Sequence, residues 1–78
     1  MTEKDICNLL KKNFKHLTKT KINIKNDLIK DHIIDSLEFM EFVSLLEKKK
    51  LFNLKDYAKT NKNFKLSTIL KFINKNLI

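Results

Sequence analysis

Apolar residues recur at helical spacing near the start of the chain, and this pattern predicts a first helix. Thr2 and Asp5 resemble a capping box, so we expect this helix over residues 2–16. Cys7 belongs at the edge of the helix's buried face. The residues predicted to form that face are Ile6, Leu10, Phe14 and Leu17.

A second helix is predicted to begin at Asp35 or Ser36 and to reach about Lys49. Asp and Ser are preferred N-cap residues, and the lysine run at 48–50 suits the negative end of a helix. One face of this helix is apolar, and we expect it to pack against the first and last helices. Its members are Phe39, Phe42, Val43 and Leu46.

The remaining segments complete an all-α prediction. Residues 55–59 should form a short helical turn, and a last amphipathic helix should run from about residue 66. Residues 18–34 fit a long loop better than a strand, although residues 21–25 alternate, because no second strand is visible to pair with them. We expect one domain over residues 1–78, a small four-helix bundle of three principal helices and one short helix. The apolar face of the last helix carries Ile69, Leu70, Phe72, Ile73 and Leu77.

The composition excludes several kinds of chemistry. A chain without Gly cannot contain the glycine-dependent loops that bind phosphates or dinucleotides. A single cysteine, Cys7, cannot form a disulfide framework or a cysteine-based metal cluster. His16 and His32 belong to no catalytic or metal-ligand motif, so we expect no intrinsic catalysis and no metal. A charged N-terminus and the lack of an apolar run of roughly 20 residues lead us to expect a cytoplasmic protein with no membrane partner.

Charge is distributed unevenly along the chain. The 17 basic residues are all Lys and the net charge is +8, yet Arg, the residue best shaped for phosphate contacts, is absent. A coding bias toward A/T-rich codons explains most of the lysines more simply than nucleic-acid binding does. Residues 27–47 nevertheless hold six acids and one lysine, a net charge of −5, so the remainder carries +13. This acidic segment is the most informative stretch of the sequence.

The polar face of the second helix carries two apolar residues that the core does not need. Leu37 projects into the middle of that face and Met40 lies on its margin, whereas Glu38 and Glu41 should be solvated there. Isolated exposed apolar residues are common in proteins. The alternative is a docking surface, in which apolar anchors are surrounded by acids that select basic partners.

Ser36 also has two interpretations at the level of the sequence. It can simply contribute to the helix cap with Asp35, as Asp and Ser do in many helices. It can instead display its hydroxyl at the positive end of the helix, where an attached phosphodiester would meet backbone N–H groups.

The stretch from Asp27 to Glu47 resembles the centre of an acyl carrier protein. That family has an Asp-Ser-Leu signature at the start of its second helix, which Asp35-Ser36-Leu37 matches. His32 stands where the family commonly has Gly, and the apolar pair at 33–34 is more like specialised stand-alone carriers (D-alanyl, polyketide or peptide-pathway types) than the general fatty-acid carrier. The family's acidic recognition positions are matched by Glu38, Glu41 and Glu47, and its second half by Phe52, Leu54, Asp56, Asn63 and Phe64.

The resemblance implies a specific function. A phosphopantetheinyl transferase would attach a 4′-phosphopantetheine arm to Ser36, between Asp35 and Leu37, and the arm's thiol would hold an acyl or aminoacyl group as a thioester. The monomeric, non-catalytic carrier would present this cargo to loading and acyl-transfer enzymes of fatty-acid or polyketide biosynthesis. These enzymes would dock on a surface formed by Leu37, Glu38, Met40, Glu41 and Glu47. The alternative from another class is a small basic helical module that binds nucleic acid or another protein.

Overall fold

The computed structural model describes residues 1–75, and these residues confirm the all-helical prediction. Leu77, predicted to lie on the apolar face of the last helix, falls outside the described residues. A single turn of 3₁₀ helix, Lys15–Leu17, follows the first α-helix. The α-helices are α1 (Glu3–Asn13), α2 (Ser36–Lys48), α3 (Leu54–Thr60) and α4 (Leu66–Lys75).

Helix α1 is shorter than the sequence predicts. It begins with the expected capping box between Thr2 and Asp5, but it ends at Asn13 rather than near residue 16. The Asn13 side-chain amide donates to the Leu9 carbonyl at 2.8 Å, which is the kind of local hydrogen bond that competes with a continuing helix. Phe14 then adopts an extended backbone, and the 3₁₀ turn that follows carries Leu17 into the core.

Helix α2 has well-defined ends although the chain has no glycine. Its C-terminus closes with the two hydrogen bonds of a Schellman motif, from Lys50 N–H to the Glu47 carbonyl at 2.9 Å and from Leu51 N–H to the Leu46 carbonyl at 3.0 Å. Lys50 therefore occupies the left-handed position, with φ of 58°, that glycine usually takes. A lysine at this position accepts a steric cost of about 1–2 kcal/mol.

The predicted apolar faces meet in one core. All four predicted core residues of α2 are buried, and so are the four residues predicted for the first helix. In α4 the predicted residues Ile69, Leu70 and Ile73 are buried, whereas Phe72 is half-buried and packs against the core. The long loop also contributes, because Leu28 and Ile34 are almost fully buried. The main residues of this core are Ile6, Leu10, Phe14, Leu17, Leu28, Ile34, Phe39, Phe42, Val43, Leu46, Phe52, Tyr57, Leu66, Ile69 and Ile73.

An aromatic cluster joins α3 to the rest of the molecule. Phe52 and Phe72 pack on the Tyr57 ring with centroid separations of 5.2 and 5.3 Å, and Phe39 lies 4.6 Å from Phe64. The buried Tyr57 hydroxyl donates to the Asn63 carbonyl at 2.7 Å. Burial, and secondarily the charge of Asp27, raises the pKa of Tyr57 to about 12. The hydroxyl therefore stays protonated and keeps this hydrogen bond at all ordinary pH values.

The loop before α2 caps the start of α4. Within residues 1–75 it contains no strand, only an isolated antiparallel bridge between Asp27 and Lys65. Two loop carbonyls accept N–H groups from the first turn of α4: Asn26 from Leu66 at 3.1 Å, and Ile24 from Ser67 at 2.8 Å. Lys65 offers no capping side chain, so the loop backbone supplies the acceptors that a Ser or Thr would otherwise provide.

Asp27 is the buried carboxylate that holds this arrangement together. Its Oδ1 accepts the N–H groups of Ile29 and Lys30 at 3.0 and 2.9 Å, and its Oδ2 accepts the N–H of Phe64 at 3.0 Å. Burial by itself raises the pKa of Asp27, but these three hydrogen bonds together outweigh burial and leave the pKa below its ordinary value. The ionised form is therefore the one that the fold stabilises.

Truncation of Phe42 tests the assignment of the core. Phe42 is fully buried on α2, so Phe42→Ala should lower the free energy of unfolding by about 3–5 kcal/mol. Leu37→Ala is the matched control, because Leu37 lies on the same helix with 77% of its surface exposed and should change stability by less than about 0.5 kcal/mol. Denaturant unfolding followed by circular dichroism measures both. Equal effects of the two substitutions would contradict this core.

Asp27→Asn tests the role of the buried carboxylate. The amide has one acceptor oxygen and places an NH₂ group against a backbone N–H, so we expect a loss of about 1.5–3 kcal/mol at neutral pH. Because the folded-state pKa is lowered, the carboxylate stabilises the fold fully above the unfolded-state pKa of about 3.9 and loses this effect as pH falls through the folded-state pKa.

The pH dependence of Asp27→Asn supplies the second readout. The free energy of unfolding of the wild type should fall below about pH 4, and the variant should lose less over the same range because it lacks this titrating group. Parallel curves for the two proteins below pH 4 would show that Asp27 does not carry the acid sensitivity.

Candidate functional site

The start of α2 presents an unused serine hydroxyl. Asp35 is the N-cap: its Oδ1 accepts the Glu38 N–H at 2.8 Å, and the Asp35 N–H donates to Glu38 Oε1 at 3.2 Å. Ser36 is exposed as the first residue of α2, and its hydroxyl makes no hydrogen bond to residues 1–75. The sequence left Asp35 and Ser36 as alternative caps, and the geometry assigns that role to Asp35 alone.

Two large apolar side chains lie exposed beside Ser36. Leu37 is 77% exposed and Met40 is 51% exposed, and among residues 1–75 they are the large hydrophobic side chains left outside the core. They lie one helical turn apart, which places both on one side of α2. This is the position that helical geometry predicted for them.

Glu38 is less accessible than the sequence predicted. Only 25% of its side chain is exposed, because one carboxylate oxygen takes part in the capping box and the other contacts His16. The His16 Nε2 lies 2.6 Å from Glu38 Oε2, and since a carboxylate can only accept, the imidazole donates. Glu38, predicted to be solvated, is therefore only partly exposed.

Most of the acidic segment binds the protein's own backbone. Glu47 Oε1 accepts the Leu54 N–H at 3.2 Å, which links the end of α2 to the start of α3. Asp31 Oδ2 accepts the Asp27 N–H at 2.8 Å inside the loop. Five of the six acids in residues 27–47 thus accept a backbone N–H: Asp27, Asp31, Asp35, Glu38 and Glu47.

Glu41 differs from the other five acids. It is exposed, and within residues 1–75 its carboxylate has neither a hydrogen bond nor an ion pair. It borders a depression of about 330 Å³ between the end of α1 and α2, whose lining also includes Phe14 and Leu45. Glu41 is therefore the carboxylate of α2 that makes no hydrogen bond or ion pair within residues 1–75.

A second depression, beside Asp35 at the start of α2, is lined by both histidines. It has a volume of about 260 Å³, and Asp35 and Glu38 form part of its wall together with His16 and His32. His32 is exposed and has a φ of 55°, which explains why glycine would suit this position. Among residues 1–75, no three His, Cys, Asp or Glu side chains come together as metal ligands.

The cysteine lies at the margin of the core. Cys7 is half-buried, and burial, followed by the nearby charge of Glu3, raises the pKa of its thiol. A raised pKa keeps the thiol protonated and poorly nucleophilic at neutral pH. This fits the packing role that the sequence indicated.

None of the four helices described in residues 1–75 is long and apolar enough to cross a membrane.

Comparisons with protein families, with curated proteins and with solved structures find no match for this chain.

Two contacts that shape the acidic segment could not be predicted from the sequence: the His16–Glu38 contact and the burial of Asp27. The His16–Glu38 contact joins residues 22 positions apart, and no periodic pattern reports such a contact. The burial of Asp27 had a weak signal, since this acid directly precedes the apolar anchors Leu28 and Ile29. Because of these contacts, the carboxylates of Asp27 and Glu38 act as internal hydrogen-bond acceptors, which the charge pattern of the sequence does not indicate.

Proposed function

We propose that this protein is an acyl carrier protein whose Ser36 carries a 4′-phosphopantetheine arm. The arm's thiol holds an acyl or aminoacyl group as a thioester, and the protein itself catalyses no reaction. The observation that carries the proposal is an exposed, unengaged serine hydroxyl at the first residue of α2, between the capping Asp35 and the exposed Leu37.

The surroundings of Ser36 are compatible with this modification. Because Asp35 provides the cap, Ser36 can form a phosphodiester without loss of a helix-stabilising hydrogen bond. The phosphodiester would lie at the positive end of a 13-residue helix, which favours a negative charge. The attached arm supplies a thiol that forms thioesters, while this chain supplies the serine oxygen and the surface that partner enzymes recognise.

The arrangement of the helices supports the same proposal. The order is a first helix, a long loop, a second helix with Ser36 at its start, a short third helix and a last amphipathic helix. This order resembles the four-helix bundle of acyl carrier proteins. Within that family, the apolar pair Ile33-Ile34 favours a specialised stand-alone carrier over the general fatty-acid carrier.

Leu37, Met40 and Glu41 are the members of the proposed docking surface that are exposed and make no internal side-chain hydrogen bond within residues 1–75. The two apolar side chains supply contact area, and the Glu41 carboxylate supplies a charge that no other group in residues 1–75 neutralises. Glu38 and Glu47 belong to the same surface but also serve as internal acceptors. A partner with an apolar recess bordered by basic residues fits this combination.

Loss of the Ser36 hydroxyl should abolish modification. Incubation with coenzyme A and a promiscuous phosphopantetheinyl transferase should add one phosphopantetheine to the wild type and none to Ser36→Ala, as measured by intact mass. Ser44→Ala is the matched control, because Ser44 is also an exposed serine of α2 and should be modified like the wild type. An unmodified wild type, or a modified Ser36→Ala, would refute the proposed function.

Charge reversal at Glu41 should slow modification without unfolding the protein. We expect Glu41→Lys to lower the transferase kcat/KM by roughly three- to tenfold, because one exposed charge pair is worth up to about 1 kcal/mol and the reversal adds repulsion. Glu3→Lys is the matched control, with the same change in net charge on the exposed side of α1.

Lys65→Glu separates the local surface from the overall charge. The Debye length is about 8 Å at physiological salt, so this exposed lysine of another segment should have little influence at the docking surface. Melting temperatures should show that all three variants are folded. Equal kcat/KM values for Glu41→Lys and Glu3→Lys would place docking on a different surface.

A further inference from the structure

The His16–Glu38 contact lies two residues from the proposed modification site. The Nε2 and Oε2 atoms are 2.6 Å apart, and the two residues come from the 3₁₀ turn after α1 and the first turn of α2. The histidine side chain is 53% exposed and the glutamate 25%, so the pair lies at the surface rather than in the core. A surface pair of this kind contributes little to folding.

The contact changes what Glu38 can offer to another protein. Its Oε1 accepts the Asp35 N–H at 3.2 Å and its Oε2 accepts from His16, so both oxygens already have a donor. A basic side chain that approaches Glu38 Oε2 must either displace the imidazole or use the second lone pair of an oxygen that already accepts a hydrogen bond, and both make the new contact weaker. No such competition exists at Glu41, whose carboxylate has no partner within residues 1–75.

We propose that His16 is a specificity-determining residue that shields Glu38 from basic docking partners. This inference rests on the proposed function and deepens it. A partner that needs an acid at the very start of α2 is bound more weakly, because breaking the 2.6 Å hydrogen bond cancels part of the energy gained at Glu38. A partner that contacts only Leu37, Met40 and Glu41 loses nothing, whereas a transferase that acts on Ser36 and also reaches Glu38 gains affinity when His16 is removed.

The depression around this pair indicates the kind of group that is excluded. Its wall includes two carboxylates, Asp35 and Glu38, so it suits the ammonium or guanidinium group of a partner lysine or arginine. The other polar groups in the wall are the imidazoles of His16 and His32. Removal of the His16 ring frees Glu38 Oε2 and takes away part of the wall of this depression.

A double-mutant cycle tests this role. Kinetics of modification by a phosphopantetheinyl transferase with coenzyme A are measured for the wild type, His16→Ala, Glu38→Gln and the double variant. His16→Ala should lower the KM for the carrier by about two- to fivefold, the size expected for one exposed hydrogen bond, and leave kcat unchanged. The KM of this variant should also rise more steeply with salt, because one more free carboxylate takes part in docking.

The Glu38→Gln background and two further variants, His16→Gln and Glu41→Gln, separate shielding of Glu38 from a general effect on folding. Glutamine at position 38 keeps an acceptor for the Asp35 N–H but carries no charge, so His16→Ala should have no effect on KM in that background. His16→Gln keeps a side-chain donor and should behave nearly like the wild type. Glu38→Gln alone should change KM by less than twofold, whereas Glu41→Gln should raise it clearly more.

The outcomes distinguish this inference from the proposed function. If the wild type is modified on Ser36 but His16→Ala leaves KM unchanged or higher, the shielding role is refuted and the carrier function stands. An effect of His16→Ala that persists in the Glu38→Gln background also refutes it, because His16 would then act through another group. If His16→Ala does not fold, a larger effect of Glu38→Gln than of Glu41→Gln refutes the inference independently. An unmodified wild type overturns both proposals.

Discussion

The buried carboxylate of Asp27 is the interaction on which the arrangement of this small bundle depends. It accepts two N–H groups from its own loop and a third from Phe64, which lies 37 residues away along the chain. A charged group this deeply buried is stable only when its hydrogen bonds offset the loss of hydration. The consequence is geometric: the loop before α2 and the segment before α4 must meet at one place.

The hydrogen bonds around Asp27 also explain how α4 begins without a capping side chain. The loop carbonyls of Ile24 and Asn26 accept the first N–H groups of α4, while the Phe64 carbonyl accepts the Leu28 N–H in return. The same loop buries Ile34 directly before Asp35 and so sets the position of α2. The position of Ser36 therefore depends on the hydrogen bonds that residues 24–28 of the loop make with the start of α4 and the segment before it.

Carboxylates act as the capping and loop acceptors in this chain, and residues other than glycine occupy the left-handed positions. Asp35, Asp31 and Glu47 each accept a backbone N–H, and the two left-handed positions described are occupied by His32 and Lys50 instead of glycine. Such hydrogen bonds to ionised groups are stronger than neutral ones, which helps a short chain with a small core. Most acids of this segment thus have a structural role as hydrogen-bond acceptors, and Glu41 is the one that has none within residues 1–75.

Features that depend on local spacing could be predicted before the fold was known. Helical periodicity predicted the buried face of α2, the exposure of Leu37 and Met40, and the start of the helix beside Ser36, because each follows from residues within a few turns of one another. The end of α1 was misjudged, since a side-chain hydrogen bond from Asn13 competes with the apolar pattern that continues to Leu17. Local spacing also predicted the long loop, but not that its backbone carbonyls cap the start of α4.

Contacts between different elements distinguish the carboxylates that accept internal hydrogen bonds from the one that accepts none within residues 1–75. The contacts of Asp27 with Phe64, of Glu38 with His16 and of Glu47 with Leu54 join different elements, and a one-dimensional pattern carries no signal for such pairs. In the sequence these acids are equivalent members of one charged segment. In the folded chain each faces a different set of donors, because the direction of a side chain and the distance to a backbone N–H arise only when the helices and the loop pack together.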